Sequence, residues 1–573
     1  MHVVATAGHV DHGKSSLVLA LTGTDPDRFA EEKRRGLTID LGFAHAALPS
    51  GAGISFIDVP GHVRFLKNML AGVGAVDACV FVVAATEGWK PQSEEHLRIL
   101  ELLGVRHGIV ALTKVDLVDD EWRELATMEV ADHVSGTFLD GAPIVPVAAT
   151  AGLGLAELRA ALDDLLVATP TATDRGRARL WVDRVFAARG AGTVVTGTLA
   201  TGPLAVGDQV VVGPQLRPAR IRAIQSLGQQ HELIGPGHRV ALNLNGVEHT
   251  DVVRGDAVVR PGRWRHTQRL DADLHVLAAL DHEVTRRGAY VAYIGSGEHT
   301  ARVRVLGDAA IVPGDTGMVR LHLDTPVPLL PGDRYVLRES GRSETVGGGE
   351  VLDVAPVRPA SKARPDRRVE RVVAERGWVT VDELELLTGE RHEPVVGPWV
   401  VAAGLVDATA ERVRQRVADA GELGLDVAAL DDRERAVLAT LADIEQVGGR
   451  ARPAEVRDTL ADHPLLTALA AEPFAPPGVD GVDKATLRQL IHRGFVVERD
   501  GVHFAASAVD LAASTAAALL VAKPDGFTMA EFRDAIGATR KHAVPLATEL
   551  DARGVTRRRG DLRIAGPRLP SAT

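Results

Sequence analysis

The first 172 residues alternate short apolar runs with amphipathic segments. We expect strands over 2–6, 54–58, 78–84, 108–112 and 143–147, and helices in segments between them such as 92–103. Strands that alternate with helical segments are typical of a parallel sheet covered by helices. The pattern therefore predicts an α/β domain over residues 1–172, whose ligands bind at the carboxyl ends of the strands.

From residue 173 the pattern changes to short β-rich runs separated by glycine and proline turns. Such runs cover 179–182, 192–198, 208–212 and 239–244, and they continue at 301–305 and 318–323. Closely spaced strands with turn signals favour small antiparallel barrels. We expect one β-barrel over 173–265 and a second over 266–356.

The rest of the chain is mainly helical and contains an imperfect repeat. A stretch with Pro, Arg and Lys over 357–365 predicts a linker, and segments 380–384, 452–456 and 528–532 resemble one another. Helices that end in glycine lead into hairpins at Asp500-Gly501 and Gly560-Asp561. This pattern predicts tandem winged helices over 366–573, about four units of roughly 50 to 60 residues each, the last over about 511–573.

The composition is typical of a globular protein without a disulfide framework. The 573 residues are 45% hydrophobic and 25% charged, with one cysteine, Cys79, which excludes a disulfide framework within the chain. We expect neither a signal peptide nor a membrane span, because the apolar runs are too short, and we therefore expect a cytoplasmic protein. The net charge is −11, yet residues 531–573 hold nine Lys or Arg and five Asp or Glu. This local excess indicates an anionic partner for the tail.

A glycine-rich loop directly follows the first predicted strand. The sequence Gly-x4-Gly-Lys-Ser lies between that strand and a helix, which is the context that a phosphate-binding loop requires. Main-chain N–H groups of such a loop surround phosphate oxygens, Lys14 reaches the β- and γ-phosphates, and Ser15 binds Mg²⁺. The predicted nucleotide-binding residues here are Gly8, His9, Val10, Asp11, His12, Gly13, Lys14, Ser15 and Ser16.

Two further motifs complete a predicted hydrolytic centre. Thr38, in a charged loop, can complete the Mg²⁺ shell when a γ-phosphate is present and can leave after hydrolysis. The sequence Asp58-Val-Pro-Gly61-His62 follows a strand. We expect Asp58 to hold Mg²⁺ through water, the Gly61 amide to meet the γ-phosphate, and His62 to position the attacking water as the catalytic residue.

The nucleotide base is assigned from Thr113-Lys114-Val115-Asp116, which follows the strand over 108–112. The Asp116 carboxylate can accept hydrogen bonds from the ring N–H and the exocyclic amine of guanine, and Lys114 can lie along the base. A weaker stretch, Ala148-Ala149, offers a main-chain amide to the guanine carbonyl. The predicted ligand is therefore GTP or GDP.

Taken together, these motifs resemble the translational GTPases of the elongation factor Tu type. The resemblance implies that Val10 and Leu37 form an apolar gate beside His62. The sequence departs from the usual guanine-binding motifs of these GTPases at two places. Thr113 stands where an Asn is usual, and Ala148-Ala149 stands where a Ser-Ala pair is usual. Both remove a polar side chain that supports the base loop, so we expect guanine specificity with looser nucleotide binding.

The first barrel is similar to that of selenocysteine-specific elongation factors over residues 183–198. In that family a polar and basic pocket receives the aminoacyl end of the tRNA, which assigns the pocket to Asp183, Arg184 and Arg239. A selenol is largely ionised at neutral pH whereas a serine hydroxyl is not, so buried arginines can prefer the selenolate. The alternative is that these residues form ordinary surface ion pairs.

The last predicted winged helix carries two basic clusters. They are Arg540, Lys541 and His542 at the start of the second helix, and Arg557, Arg558 and Arg559 in the wing. Such residues can clamp phosphates while splayed loop bases are read one by one. The segment resembles the C-terminal module of the same family, which grips a hairpin in selenoprotein mRNA; a charge run that is merely solvated is the alternative.

The resemblance implies a monomeric GTPase that delivers selenocysteinyl-tRNA to the ribosome at UGA codons marked by an mRNA hairpin. GTP hydrolysis would be stimulated by the ribosome. Two alternatives are a translational GTPase for another tRNA, similar to the gamma subunit of an initiation factor, and a regulatory GTPase that binds duplex DNA through its winged helices.

Overall fold

The computed structural model describes residues 2–27, 32, 34, 38–62, 65–73, 76–188, 192–342, 344–454 and 460–570. It divides into two compact units, Met1–Val406 and Asp407–Thr573. The predicted gate residue Leu37 lies outside the described residues. No helix in the described part of the chain is long and apolar enough to cross a membrane.

The first domain is a sheet with helices on both faces. Its strands are β1 (His2–Ala7), β2 (Gly42–Ala47), β3 (Gly53–Asp58), β4 (Ala78–Ala84), β5 (Gly108–Thr113) and β6 (Ile144–Pro146). Its helices are α1 (Lys14–Thr22), α2 (Leu66–Val73), α3 (Pro91–Leu102), α4 (Asp120–Val134) and α5 (Leu155–Ala168). The strand order is β2-β3-β1-β4-β5-β6, with β2 antiparallel to β3 and the other pairs parallel. Two apolar cores fill the two faces, one under α2, α3 and α4 and the other under α1 and α5.

The second domain is a closed antiparallel barrel. Its strands are β7 (Arg179–Ala188), β8 (Gly192–Ala200), β9 (Leu204–Ala205), β10 (Gln209–Val212), β11 (Arg217–Ser226), β12 (Gln229–His231), β13 (Leu233–Ile234), β14 (His238–Asn245) and β15 (Ala257–Val259). The ring runs β10-β15-β7-β8-β14-β11 and closes through the β10–β11 pair, while β12 extends it at β11. Closure leaves these six strands without an open edge.

A second closed barrel follows directly. Its strands are β16 (His266–Val276), β17 (Val284–Thr285), β18 (Tyr290–Ile294), β19 (Gly297–Leu306), β20 (Ala310–Ile311), β21 (Thr316–Pro328), β22 (Arg334–Glu339) and β23 (Glu344–Asp353). The ring is β16-β21-β19-β18-β22-β23. Inward and outward side chains alternate along β19, as a half-buried strand requires.

The residues after the second barrel pack onto it. The elements are α6 (Val369–Arg376), β24 (Trp378–Thr380), α7 (Val381–Thr388) and β25 (Trp399–Val401). Val373 and Leu384 belong to the same apolar core as the barrel strands, and Ala360 and Ala363 of the predicted linker bury against Leu306. The first helical segment of the tail is thus part of the first compact unit. The domain limits given above stay a prediction.

The second unit contains the remaining helices and hairpins, and its boundary falls within α8. The helices are α8 (Leu405–Asp419), α9 (Asp432–Leu438), α10 (Pro464–Ala471), α11 (Lys484–His492), α12 (Ala506–Ala522), α13 (Met529–Ala535) and α14 (Arg540–Ala552). The strands are β26 (Leu425–Asp426), β27 (Ile444–Val447), β28 (Arg450–Pro453), β29 (Val496–Arg499), β30 (Val502–Ala505), β31 (Phe527–Thr528), β32 (Thr556–Arg559) and β33 (Leu562–Ala565).

The last winged helix is complete in the described residues. It consists of α12, β31, α13 and α14 followed by the β32–β33 wing, and its sheet order is β31-β33-β32. It begins at Ala506, five residues before the predicted limit, and it shares one core with α10, α11 and the β29–β30 hairpin.

The predicted fold class is confirmed: an α/β GTP-binding domain, two β-barrels and a winged-helix tail.

Candidate functional site

The glycine-rich loop lies between β1 and α1 and depends on glycine at two positions. Gly8 has φ +129°, and a Cβ there would overlap the Val82 carbonyl oxygen on β4. Gly13 has φ +87° and forms the N-cap of α1. Asp11 is exposed and also has a positive φ. The loop therefore turns tightly against the sheet at the N-terminus of a helix, where an anion is stabilised.

Lys14 crosses the mouth of this loop. Its buried Nζ donates hydrogen bonds to the main-chain oxygens of Gly8 at 3.0 Å and His9 at 2.6 Å. Burial lowers the pKa of Lys14 to about 8, against the attraction of Asp58. A Cβ on Gly61 would overlap Lys14 Nζ, so the loop after β3 comes directly against the lysine. Ser16, in the first turn of α1, is exposed.

The three residues predicted to bind Mg²⁺ lie together. Ser15 Oγ is 2.8 Å from Thr38 Oγ1 and donates to Asp58 Oδ2 at 2.7 Å. Burial raises the pKa of Asp58 to about 6, although hydrogen bonding from Thr6 and the charge of Lys14 oppose this. Asp27, which sequence reasoning missed, accepts from Thr38 at 2.9 Å. Two hydroxyls beside a buried carboxylate form an oxygen donor set that fits Mg²⁺.

Two side chains of helix α3 accept hydrogen bonds from the main chain of the glycine-rich loop. Nothing in the sequence indicated this contact. The Gly8 N–H donates to His96 Nδ1 at 3.1 Å, and the Val10 N–H donates to Gln92 Oε1 at 3.3 Å. Burial lowers the pKa of His96 to about 3, so the ring is neutral and its Nδ1 can accept. These partners lie more than eighty residues from the loop in sequence, and a lone His on an amphipathic helix gives no signal of that contact.

His12 joins the loop to β5. Its ring is buried with Nδ1 3.3 Å from Val82 O, and burial lowers its pKa to about 4. The His9 ring packs against it with ring centroids 5.0 Å apart. The Thr113 hydroxyl donates to His12 O at 2.6 Å. The expectation that Thr113 removes the polar support of the base loop is therefore wrong, because its short hydroxyl still reaches the main chain.

The predicted base-reading residues follow β5 and β6. Lys114 has φ +58° and its Nζ lies 3.2 Å from Glu87 Oε1, while Asp116 is exposed. The Ala148 N–H donates to Leu153 O at 3.0 Å, which closes the loop that also contains half-buried Ala149. These residues occupy the carboxyl ends of adjacent strands, where a nucleotide base can lie.

His62 is half-buried in the loop between β3 and α2. Its ring centroid is 5.9 Å from that of Phe65, and its main-chain oxygen accepts from the Phe65 N–H at 2.8 Å. The residue directly follows Gly61, which touches Lys14. His62 is thus placed at the phosphate end of the site.

The predicted aminoacyl pocket is a compact cluster on the first barrel. Arg239 donates to Asp183 Oδ1 at 3.0 Å and to Thr196 Oγ1 at 3.2 Å, and Thr196 donates to the same Asp183 oxygen at 2.6 Å. The guanidinium carbons of Arg239 and Arg184 lie 3.5 Å and 4.2 Å from the ring centroid of Phe43. Arg239 and Phe43 line a cavity of about 230 Å³. The ion pair considered as an alternative is present, and its Arg239 lines the cavity together with residues of β2 and β3.

The basic residues of the last winged helix are at the surface. Arg540 and Lys541 are exposed at the start of α14, His542 is half-buried, and the three wing arginines are exposed. On the wing, Arg558 lies opposite Arg563, whose Nε donates to Asp551 Oδ2 of α14 at 3.1 Å. Cross-strand partners share a face. Arg558 is therefore on the face of Arg563, while Arg557 and Arg559 are on the other.

Comparisons with known proteins match three separate parts of the chain. The family described as "Elongation factor Tu GTP binding domain" matches residues 1–168. "Selenocysteine-specific elongation factor, beta-barrel domain" matches 271–358, and "Elongation factor SelB, winged helix" matches 519–565. An elongation factor Tu 2 of Streptomyces avermitilis is 34% identical over 61% of this chain and 96% of its own length.

The chain belongs to the elongation factor Tu family. Within that family it is similar to the selenocysteine-specific elongation factors in its second barrel and its last winged helix. A selenocysteine-specific elongation factor of Desulfomicrobium baculatum is 39% identical over 61% of this chain and 55% of its own length. The crystal structure of a bacterial selenocysteine-specific elongation factor, EF-Sec, aligns with a TM-score of 0.73 at 27% identity, over 98% of this chain and 99% of that chain. The matches to the first curated relatives span between 55% and 57% of their lengths.

Proposed function

We propose that this protein delivers selenocysteinyl-tRNA to the ribosome at UGA codons marked by an mRNA hairpin, and that it hydrolyses GTP on codon recognition. In this proposal it acts as a cytoplasmic monomer. The observation that carries the proposal is the Arg239–Asp183–Thr196 cluster, because it holds a guanidinium in the wall of a cavity between the first barrel and strands β2 and β3.

The phosphate end of the nucleotide would lie over the glycine-rich loop. Lys14 would exchange its two main-chain acceptors for phosphate oxygens, and Ser15, Thr38 and Asp58 would hold Mg²⁺. When bound, Mg²⁺ supplies positive charge against the β- and γ-phosphates. His62 would orient the attacking water by hydrogen bonding, and the Gly61 N–H would donate to a γ-phosphate oxygen.

The base end would select guanine through two hydrogen bonds to the Asp116 carboxylate. Lys114 would lie along the base, and Glu87 would fix its amine, as the 3.2 Å contact suggests. The Ala149 N–H would donate to the guanine carbonyl. Adenine offers neither the ring N–H nor the exocyclic amine at these positions, so it would leave the carboxylate without partners, which costs binding energy.

The barrel pocket would discriminate selenocysteine from serine by the charge of the side chain. A selenolate carries a negative charge at neutral pH, and the guanidinium groups of Arg184 and Arg239 are permanently positive. Asp183 and Thr196 keep Arg239 oriented, and the Phe43 ring provides a flat surface for both guanidiniums. Serine has a neutral hydroxyl, so seryl-tRNA would gain little from the two cations.

The winged-helix tail would bind the mRNA hairpin through Arg540, Lys541 and His542 of α14 and Arg557, Arg558 and Arg559 of the wing. The exposure of the four arginines and Lys541 supports this role, because phosphate contacts need cationic groups at the surface. Binding the message beside the codon raises the local concentration of the factor there. The match of residues 519–565 to a SelB winged helix favours this reading over a factor similar to an initiation-factor gamma subunit.

The deciding experiment compares the affinities for selenocysteinyl-tRNA and seryl-tRNA in the presence of a non-hydrolysable GTP analogue. We expect clear preference for selenocysteinyl-tRNA, and loss of most of that preference in Arg239→Ala and in Arg184→Ala. Arg260→Ala is the matched control, because Arg260 pairs with Asp208 at 2.7 Å on the same barrel. Equal affinities for the two tRNAs in the unaltered protein would refute the proposal.

The tail is tested separately with an RNA hairpin from a selenoprotein message and a DNA duplex of the same length. We expect the hairpin to bind more tightly. A preference for the duplex would support the DNA-binding alternative and contradict the proposal.

A further inference from the structure

The segment Thr38–Leu41 is held at successive residues by different parts of the first unit. Thr38 contacts Ser15 at the Mg²⁺ end of the site. The next residue, Ile39, accepts a hydrogen bond at its main-chain oxygen from Asn68 Nδ2 on α2, at 2.7 Å. Because α2 follows His62, the two loops that flank the γ-phosphate position are tied together at this point.

The same segment is held from the barrel side by two arginines. Arg254 Nη2 donates to Asp40 Oδ1 at 2.6 Å, and Arg184 donates to the main-chain oxygen of Leu41. Arg184 belongs to the proposed aminoacyl pocket. The residues directly after Thr38 are thus in contact with the barrel that carries that pocket.

Arg254 makes two further hydrogen bonds, which connect three parts of the first unit. Its Nη1 donates to Asn68 Oδ1 at 3.0 Å, and its Nε donates to the main-chain oxygen of Asp183 at 2.8 Å. One guanidinium therefore touches the segment after Thr38, helix α2, and the residue whose carboxylate orients Arg239. Its loop is anchored on the barrel, because the Gly255 N–H donates to Val182 O at 2.9 Å.

We propose that Arg254 is a positioning residue that couples the nucleotide site to the aminoacyl pocket; this inference rests on the function proposed above. Asp40 lies two residues after Thr38, so their Cα atoms are at most about 7 Å apart. Departure of Thr38 from Ser15 therefore displaces Asp40 and takes away one of the bonds that fix the Arg254 guanidinium. The hydrogen bond from Arg254 to Asp183 is then no longer held in a fixed direction, and Asp183 holds Arg239 less firmly in the proposed pocket.

Thermodynamic linkage makes this relation reciprocal. If the nucleotide state changes the affinity for the aminoacyl end, occupation of the pocket changes the affinity for the nucleotide by the same factor. The geometry requires arginine, because a planar fork can bond in several fixed directions at once whereas a lysine amine is a single point charge. A purely structural ion pair between two domains would instead weaken tRNA binding equally in both nucleotide states.

The test measures the ratio of selenocysteinyl-tRNA affinities with a non-hydrolysable GTP analogue and with GDP, in the full-length protein. We expect Arg254→Gln and Asp40→Asn to reduce this ratio by about fivefold or more, the lower end of typical couplings, and Arg254→Lys to restore only part of it. Arg260→Gln is the control, since that arginine forms a comparable ion pair within the barrel. An unchanged ratio in Arg254→Gln, even with weaker binding overall, would overturn the inference.

A second measurement needs no tRNA and separates the two proposals. Hydrogen exchange is compared between the GTP-analogue and GDP states for peptides that cover 38–47 and 179–187. In the unaltered protein we expect the exchange rates of both peptides to differ between the two nucleotide states. In Arg254→Gln we expect such a difference only for the peptide that covers 38–47. A response of the second peptide that persists in the variant contradicts the coupling role. Failure of the unaltered protein to bind selenocysteinyl-tRNA contradicts only the function proposed above.

Discussion

The Thr113 hydroxyl donates a 2.6 Å hydrogen bond to the main-chain oxygen of His12, and so joins the end of β5 to the glycine-rich loop. Both residues are buried. The bond connects the element that would read the base to the element that would hold the phosphates. Thr113 therefore contributes to the shape of the whole nucleotide site, although it lies one residue before the lysine that would lie along the base.

We predict that Thr113→Val lowers both the stability and the nucleotide affinity. The variant keeps the side-chain shape but leaves a buried carbonyl oxygen without its donor, which typically costs about 1–3 kcal/mol. Urea unfolding measures the first effect and titration with a fluorescent GDP the second. Thr193→Val is the control, because Thr193 makes the same kind of bond to Val247 O at 2.8 Å within the barrel. It should lose stability without a change in GDP affinity, and an equal loss of affinity in both variants would contradict the prediction.

The buried His96 predicts a specific pH dependence of stability. Burial lowers its pKa from 6.5 to about 3, so below pH 6.5 the unfolded chain binds a proton that the folded chain does not. Stability is then fully present above pH 6.5 and falls as the pH drops toward 3, by about 1.4 kcal/mol per pH unit for one such group. Burial of His12, with a pKa of about 4, adds a slope of the same sign.

His96→Gln tests this dependence, because glutamine can still accept from the Gly8 N–H but does not titrate. We expect urea unfolding at pH 6.0 and pH 5.0 to show a smaller drop in stability for the variant than for the unaltered protein, by about 1.4 kcal/mol. The contribution of His12 to the pH dependence of stability should remain in the variant. An identical drop in the two proteins would show that His96 is not neutral in the folded state.

Phe43 is predicted to stabilise the barrel pocket through its ring. Two guanidinium carbons lie within 4.2 Å of the ring centroid, and contacts of this kind are each worth about 0.5–2 kcal/mol. Phe43→Leu should therefore lower the thermal midpoint. Phe186→Leu is the control, since Phe186 lies on β7 with 44% of its surface exposed. If both variants lost the same stability, the two arginines would not depend on the ring.

The sequence revealed those parts of the site that are contiguous along the chain. Lys14 and Ser15 follow β1, and Asp58 ends β3, as the strand pattern predicts. The structure brings Ser15, Thr38 and Asp58 together. Their supports were not visible, because the contacts of His96 and Arg254 depend on how α3 and the barrel pack, which apolar periodicity does not specify. For the same reason the pattern of α6 and α7 predicted helices but not that they bury against the second barrel.

The two faces of the wing are predicted to have different roles, one in binding RNA and the other in stability. Arg557 and Arg559 are exposed on the face opposite to Arg563, whereas Arg563 is buried and donates to Asp551 of α14. Replacing both Arg557 and Arg559 by Ala should weaken binding of the RNA hairpin and reduce the slope of log affinity against log salt by about 1.4–1.8, the value for two phosphate contacts. Arg563→Ala should instead destabilise the winged helix, because it leaves Asp551 with one partner fewer.

Arg533→Ala is the matched control for hairpin binding. Arg533 is half-buried on α13 and pairs with the neighbouring Asp534, so its charge is largely compensated. The salt slope of this variant should equal that of the unaltered protein. If the double wing variant also kept the full slope while Arg558→Ala lost about 0.7–0.9, phosphate binding would lie on the face shared by Arg558 and Arg563, and the opposite face would have no part in it.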